Sequence, residues 1–234
     1  MKLKRKLRKQ KNYSLIRGVF MRNTKTFITV IAEQAKGSLK KSIYLAPETK
    51  ELYYGKEVSF PIINAINSYA DPEDTIKIIV IMNTESEAAV YNFEKIFKSE
   101  LKEIKEEKGL KFLDIEHINI VKAVSDQTMD SNLKLFEDIL SEIDDNETLY
   151  TCITFGTKPM PMMLFMALNY AYKVKMNIEI GAIIYGSLYS GTREAMIYDL
   201  TSLFYTNALF MEFANAGEKD PVTKLKKIRQ TFFE

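Results

Sequence analysis

The sequence holds one cysteine, Cys152, one histidine, His117, and no tryptophan. A lone thiol forms no internal disulfide, and one thiol with one imidazole makes no zinc cluster of the usual ligand count, so no metal is expected. Long apolar runs are missing too. No uncharged stretch reaches the length of about 18 residues that a spanning helix needs, and the basic start leads into no apolar signal core. A cytoplasmic protein with no segment in the membrane is the expectation. Acidic residues are absent from the first twelve positions, which hold seven of the 33 basic residues. Residues 13–234 therefore carry 26 basic against 31 acidic groups, and the overall charge of +2 conceals a mildly acidic body with a basic arm. That arm is either a solvated, poorly ordered terminus or an electrostatic contact for RNA, a membrane surface or an acidic partner.

A chain of 234 residues with 46% apolar content can bury one sizeable core. We expect a basic arm over residues 1–23, one main domain over 24–216 and a lysine-rich tail over 217–234 that frays. Apolar β-branched runs alternate with longer amphipathic stretches, the pattern of an α/β fold with a mostly parallel sheet and helices on both faces. The expected strands are Phe27–Ile31, Ile76–Met82, Ile118–Val121, Leu149–Ile153, Ile178–Tyr185 and a short one at Met196–Tyr198. Ser42–Leu45 and Leu52–Tyr54 read as a hairpin, followed by a helix from Pro61. A helix from Glu85 to about Lys105 should bury Ala89, Phe93, Phe97 and Leu101. Another, capped by Asp130–Ser131, should bury Leu133, Phe136, Ile139, Leu140 and Ile143. The stretch Met162–Tyr172 is apolar nearly all round, which calls for the sheet on one side and a further surface, such as a second subunit, on the other. Gly186–Arg193 reads as a turn. Asp199 then opens a last helix with Phe204, Asn207, Ala208, Met211 and Asn215 on its inner face.

Chemistry concentrates after the strand that ends near Cys152. There the chain runs Thr154-Phe-Gly-Thr-Lys-Pro-Met-Pro161, small, hydroxylated and basic, before a helix begins. The carboxyl ends of strands in an open α/β sheet are where ligand crevices form. Gly156 permits close backbone approach, Thr154 and Thr157 offer hydroxyls, Lys158 offers charge, and the helix start favours an anion. Pro159 and Pro161 suit a first helical turn. The spacing is not that of a Walker A loop. Without a ligand, the same residues would serve as a tight strand-to-helix turn with a solvated lysine.

At these residues the chain resembles the CARF domains, the Rossmann-like cyclic oligoadenylate sensors of type III CRISPR antiviral systems. Thr154-Phe-Gly-Thr-Lys158 is similar to the family's Thr-x-Gly-Thr-Lys loop, and the likeness extends to Met160-Pro-Met, Ile184-Tyr-Gly186 and Asp199-Leu-Thr201. It covers roughly Phe27 to Asn215, and it departs from the family at Cys152 and Phe155. The resemblance implies a homodimer whose two subunits share one cyclic tetra- or hexa-adenylate. It further implies ligand contacts from Thr154, Phe155, Gly156, Thr157, Lys158 and Pro159, and from Gln34, Lys36 and Gly37 in the loop after the first strand.

Two activities follow from the resemblance. Larger relatives carry a HEPN ribonuclease with an Arg-x(4–6)-His motif, and no arginine lies four to six residues before His117. A ring nuclease needs neither metal nor histidine, and Lys158, Thr157 and Thr154 are the residues implied for it, so no cofactor is expected. The alternatives are a sensor that passes its signal to a separate effector protein and an RNA-binding accessory acting through its basic arm. Tyr185 and Tyr189 are candidates for stacking on adenine, and Asn83, Thr84 and Glu85 for lining the pocket.

Overall fold

A computed structural model describes residues 24–123, 126–188 and 194–233. The basic arm, Tyr189 and the rest of the expected turn up to Arg193 lie outside them. In chain order the elements are β1 (Thr24–Val30), β2 (Ser42–Leu45), a 3-10 turn (Lys50–Leu52), β3 (Glu57–Val58), α1 (Ile62–Tyr69) and β4 (Thr75–Met82). There follow α2 (Glu87–Tyr91), which passes through a π-helical turn (Asn92–Phe97) into α3 (Lys98–Lys108), then β5 (Phe112–Leu113), β6 (Asn119–Lys122) and α4 (Met129–Ser141). The chain continues through β7 (Glu147–Cys152), α5 (Pro159–Val174), β8 (Glu179–Leu188), β9 (Ala195–Asp199), α6 (Thr201–Asn215) and α7 (Pro221–Phe233). The described residues form two compact units divided after Phe204, within α6.

The strands make one sheet in the order β3-β2-β9-β8-β7-β1-β4-β5, with β6 also on β4. Among the described residues only β8–β9 and β2–β3 pair antiparallel. Fully buried Ile79, Val80 and Ile81 explain why β4 reads as continuous branched residues, since a central parallel strand is covered on both faces. Phe27, Ile31, Val80 and Cys152 join the core under α1, α2 and α3, while Leu135, Ile139, Leu164 and Leu168 are buried on α4 and α5. From β1 the chain builds outward to β4 and β6, then returns to lay β7 on the opposite side of β1. That reversal makes the carboxyl ends of β1 and β7 the switch point of the sheet, where ligand crevices usually form in this architecture.

Five expectations need correction. Glu57–Val58, not Leu52–Tyr54, pairs with Ser42–Leu45; Leu52 is fully buried in a 3-10 turn whose carbonyl accepts from Asn64. Thr128, not Asp130–Ser131, caps α4, its hydroxyl accepting from the Ser131 N–H. Leu133 is consequently exposed, and Leu135 takes the inner face with Ile139. Gly186–Leu188 continues β8 instead of turning. On α6 only Phe204 of the expected inner face is buried, and the tail is helical as α7.

One buried acid organises the α1 side. The Glu100 carboxylate accepts from the N–H groups of Ser59, at 2.7 Å, and Phe60, at 3.2 Å, just before α1. Burial pushes this carboxyl above its ordinary range, against the pull of the two amides. A carboxyl raised in the folded state adds stability that is complete below its unfolded pKa and fades as pH rises through the folded value. The stability advantage of the wild type over Glu100→Gln should therefore shrink as pH rises above the ordinary carboxylate range of about 4. Urea midpoints across that rise check it, and an advantage that grows would contradict it.

Candidate functional site

β1 and β7 run side by side, with Thr29 opposite Cys152, so the loops after them emerge together. The β7 loop folds over the end of β1. At Gly156 φ is +101°, and an added Cβ would lie 2.8 Å from Met160 Sδ and 3.1 Å from Val30 Cγ1. Only glycine meets both demands without strain. Gly156→Ala should cost about 1–3 kcal/mol, readable as a lower denaturant midpoint at unchanged slope; an unchanged midpoint would contradict this account of the loop.

The loop's side chains divide by role. Thr154 Oγ1 accepts from the Gly186 N–H at 2.8 Å and lies 3.1 Å from Cys152 Sγ, so this hydroxyl ties the loop to β8. Phe155 is half-buried and packs edge-to-face on Phe60 of the core, ring centroids 5.5 Å apart. Thr157 and Lys158 stand exposed, and among the described residues the Lys158 ammonium has no carboxylate or carbonyl partner. The N–H groups of Phe155, Gly156 and Thr157 also lack partners among the described residues. Consecutive amides without partners beside a glycine at positive φ are the kind of backbone that anion-binding nests use.

The start of α5 offers less than its position suggests. Pro159 and Pro161 have no N–H, and Met160 N already donates to Thr157 O at 3.0 Å. An anion here would be held by the loop amides and Lys158, with the helix adding its dipole.

On the β1 side, residues 33–37 are exposed, and Gly37 has φ +79°. Lys36 Nζ lies 3.5 Å from Glu87 and 5.7 Å from the Tyr91 ring centroid. Exposed pairs of that kind contribute at most about 1 kcal/mol, so Lys36 can exchange partners readily. Asn83 reaches Glu33 at 3.5 Å and accepts from the Glu85 N–H at 3.0 Å. A small cavity joins Thr157 to Gln127, Ser131 and Asn132 at the start of α4; sequence reading did not place these three in the crevice. Tyr185 is 39% exposed on β8.

Other features lie outside the crevice. A larger open groove runs along α3, lined by Lys98, Lys102 and Lys105 with Glu94 and Glu106. Its mixed charges, with Lys98 paired to Glu94, mark a solvated face. Exposed His117 bonds to Asp114 at 2.9 Å, and Asp74 accepts from the Asp71 N–H in the turn before β4. Burial pushes the Cys152 thiol up, which disfavours the reactive thiolate. Among the described residues no helix is long and apolar enough to cross a membrane, and no cluster of three or more His, Cys, Asp or Glu could hold a metal ion.

The fold is that of a Rossmann-like α/β domain, with the loops after β1 and β7 flanking the switch point of its sheet. No protein-family model matches the chain, and no curated protein matches it either.

Proposed function

We propose that this crevice binds a cyclic oligoadenylate, with the amides of residues 155–157 and Lys158 receiving phosphate and Lys36 facing it from the β1 loop. The observation that carries the reading is that the Lys158 ammonium and the neighbouring amides, at the switch point of the sheet, have no partner among the described residues. A homodimer fits a ring-shaped ligand, and the outer face of α5 supports one. Met162, Met166, Tyr170 and Val174 are between 48% and 63% exposed there, an apolar stripe that a two-fold interface would cover.

Ring opening is the activity proposed for the bound ligand. A ribose 2′-oxygen bonds to the adjacent phosphorus, the bond from phosphorus to the 5′-oxygen breaks, and the 2′-hydroxyl proton ends on that 5′-oxygen. Lys158 would stabilise the phosphorane charge and Thr157 would orient the phosphate, while Thr154 acts by holding the loop. A sensor that leaves the ring intact is the second reading, supported by the engagement of the Thr154 hydroxyl within the fold.

Purified protein mixed with cyclic tetra- and hexa-adenylate separates the two, by thermal shift and by chromatography of the nucleotide. Linear product is expected; a shift with intact ring would establish the sensor. Neither shift nor product with either ring would overturn the proposal. A variant lacking residues 1–23 should bind as the full chain does, and loss of all binding would place the activity in the basic arm.

A further inference from the structure

The loop after β1 is exposed, yet its base is fastened from inside the protein. Asn92, with no exposed surface, donates from Nδ2 to the carbonyls of Ala32 and Gln34, both at 2.9 Å. Among the described residues the loop's other side-chain ties are long, exposed or local. Asn83 reaches Glu33 only at 3.5 Å, the pair of Lys36 with Glu87 is exposed, and Ser38 bonds to Ala35 within the loop itself. Asn92 is the first residue of the π-helical turn that interrupts the run from α2 to α3, and such turns reset which side chains a helix presents. Its own Oδ1 is buried without a hydrogen-bond partner. That orphaned carbonyl lowers stability, whereas an apolar side chain of similar volume would avoid the penalty and lose the hold on Ala32 and Gln34.

We propose that Asn92 is a positioning residue: it clamps the loop carrying Gln34, Lys36 and Gly37 beside the Lys158 loop and thereby sets the affinity of the crevice for its ligand. The proposal rests on the cyclic oligoadenylate reading of that crevice. Asn92 touches no ligand in this account and acts only through the loop.

Two readouts on Asn92→Leu test it: backbone amide order parameters over residues 33–37 in the free protein, and affinity for cyclic tetra- and hexa-adenylate. Order parameters there should fall below about 0.6 while β1 and β4 stay near the rigid value of about 0.85, and affinity for the ring that the wild type binds should fall by about tenfold. Asn92→Ala, which loses both donated hydrogen bonds without adding bulk or charge, serves if the leucine variant does not fold, with the same outcomes. Ile139→Val, in the core under α4, is the control for general destabilisation and should leave the affinity unchanged. Wild-type affinity in both Asn92 variants, unchanged order parameters in the loop, or an equal loss in the Ile139 control would each overturn the proposal. If the wild type binds neither ring, the nucleotide reading fails and takes the ligand role of Asn92 with it; lower order parameters in the loop would then uphold the clamp alone, and unchanged ones would overturn that too.

Discussion

Replacing Lys158 by alanine is expected to weaken binding of a cyclic oligoadenylate by roughly 10- to 150-fold, the equivalent of about 1.5–3 kcal/mol for a hydrogen bond to a charged group. The expectation follows from what the ammonium lacks. It has no partner among the described residues, so its full charge is available to phosphate, and its removal breaks no contact in the free protein. Stability should therefore stay within about 0.5 kcal/mol of wild type, as for other exposed substitutions. Lys158→Arg should retain most of the affinity, because the charge stays and the guanidinium also recognises phosphate. Lys36→Ala should lose less, since Glu87 already competes for that charge. Calorimetric titration at fixed ionic strength reads all three. Equal affinity in Lys158→Ala and wild type would remove Lys158 from the site.

The second large effect concerns the fold. Glu100→Ala should cost about 3 kcal/mol, because Ser59 N and Phe60 N lose their acceptor in a buried place and each unsatisfied donor is worth about 1–3 kcal/mol. These amides lead into α1, which packs on β1, β7 and β8, so the loss should spread to the core beneath it. A midpoint shift in denaturant checks this. A cost below about 1 kcal/mol would show that water or a local rearrangement satisfies both amides.

Legibility in the sequence followed how local each determinant was. β4 could be read because a buried parallel strand is apolar along its length, and the inner face Ala89, Phe93, Phe97, Leu101 because it repeats at helical spacing. The start of α4 was misread by about two residues, since Asp126, Thr128, Asp130 and Ser131 are all capable caps. Ile139 and Ile143 are buried as expected, but Leu133 and Leu135 lie about 200° apart around the helix, and it is Leu135, one turn before Ile139, that continues the inner face. The second arm of the β2 hairpin was missed because Leu52 is claimed by tertiary contact with α1, not by pairing. At the crevice the Thr154–Pro161 loop was visible as small and polar residues after a buried strand. The engagement of Thr154 by Gly186 was not, because it spans 32 residues and depends on β8 lying beside β7. Asn92 and Glu100 were hidden for a related reason. A polar residue on an amphipathic helix reads as part of its solvated back, and only the packed fold shows that these two are buried against the backbone they hold.

Hydrogen exchange measured with and without saturating cyclic tetra- or hexa-adenylate tests the central claim most directly. The account predicts new protection concentrated in residues 33–37 and 154–161, the two loops flanking the switch point. Protection elsewhere, such as along the α3 groove, or none with either ring, would contradict it.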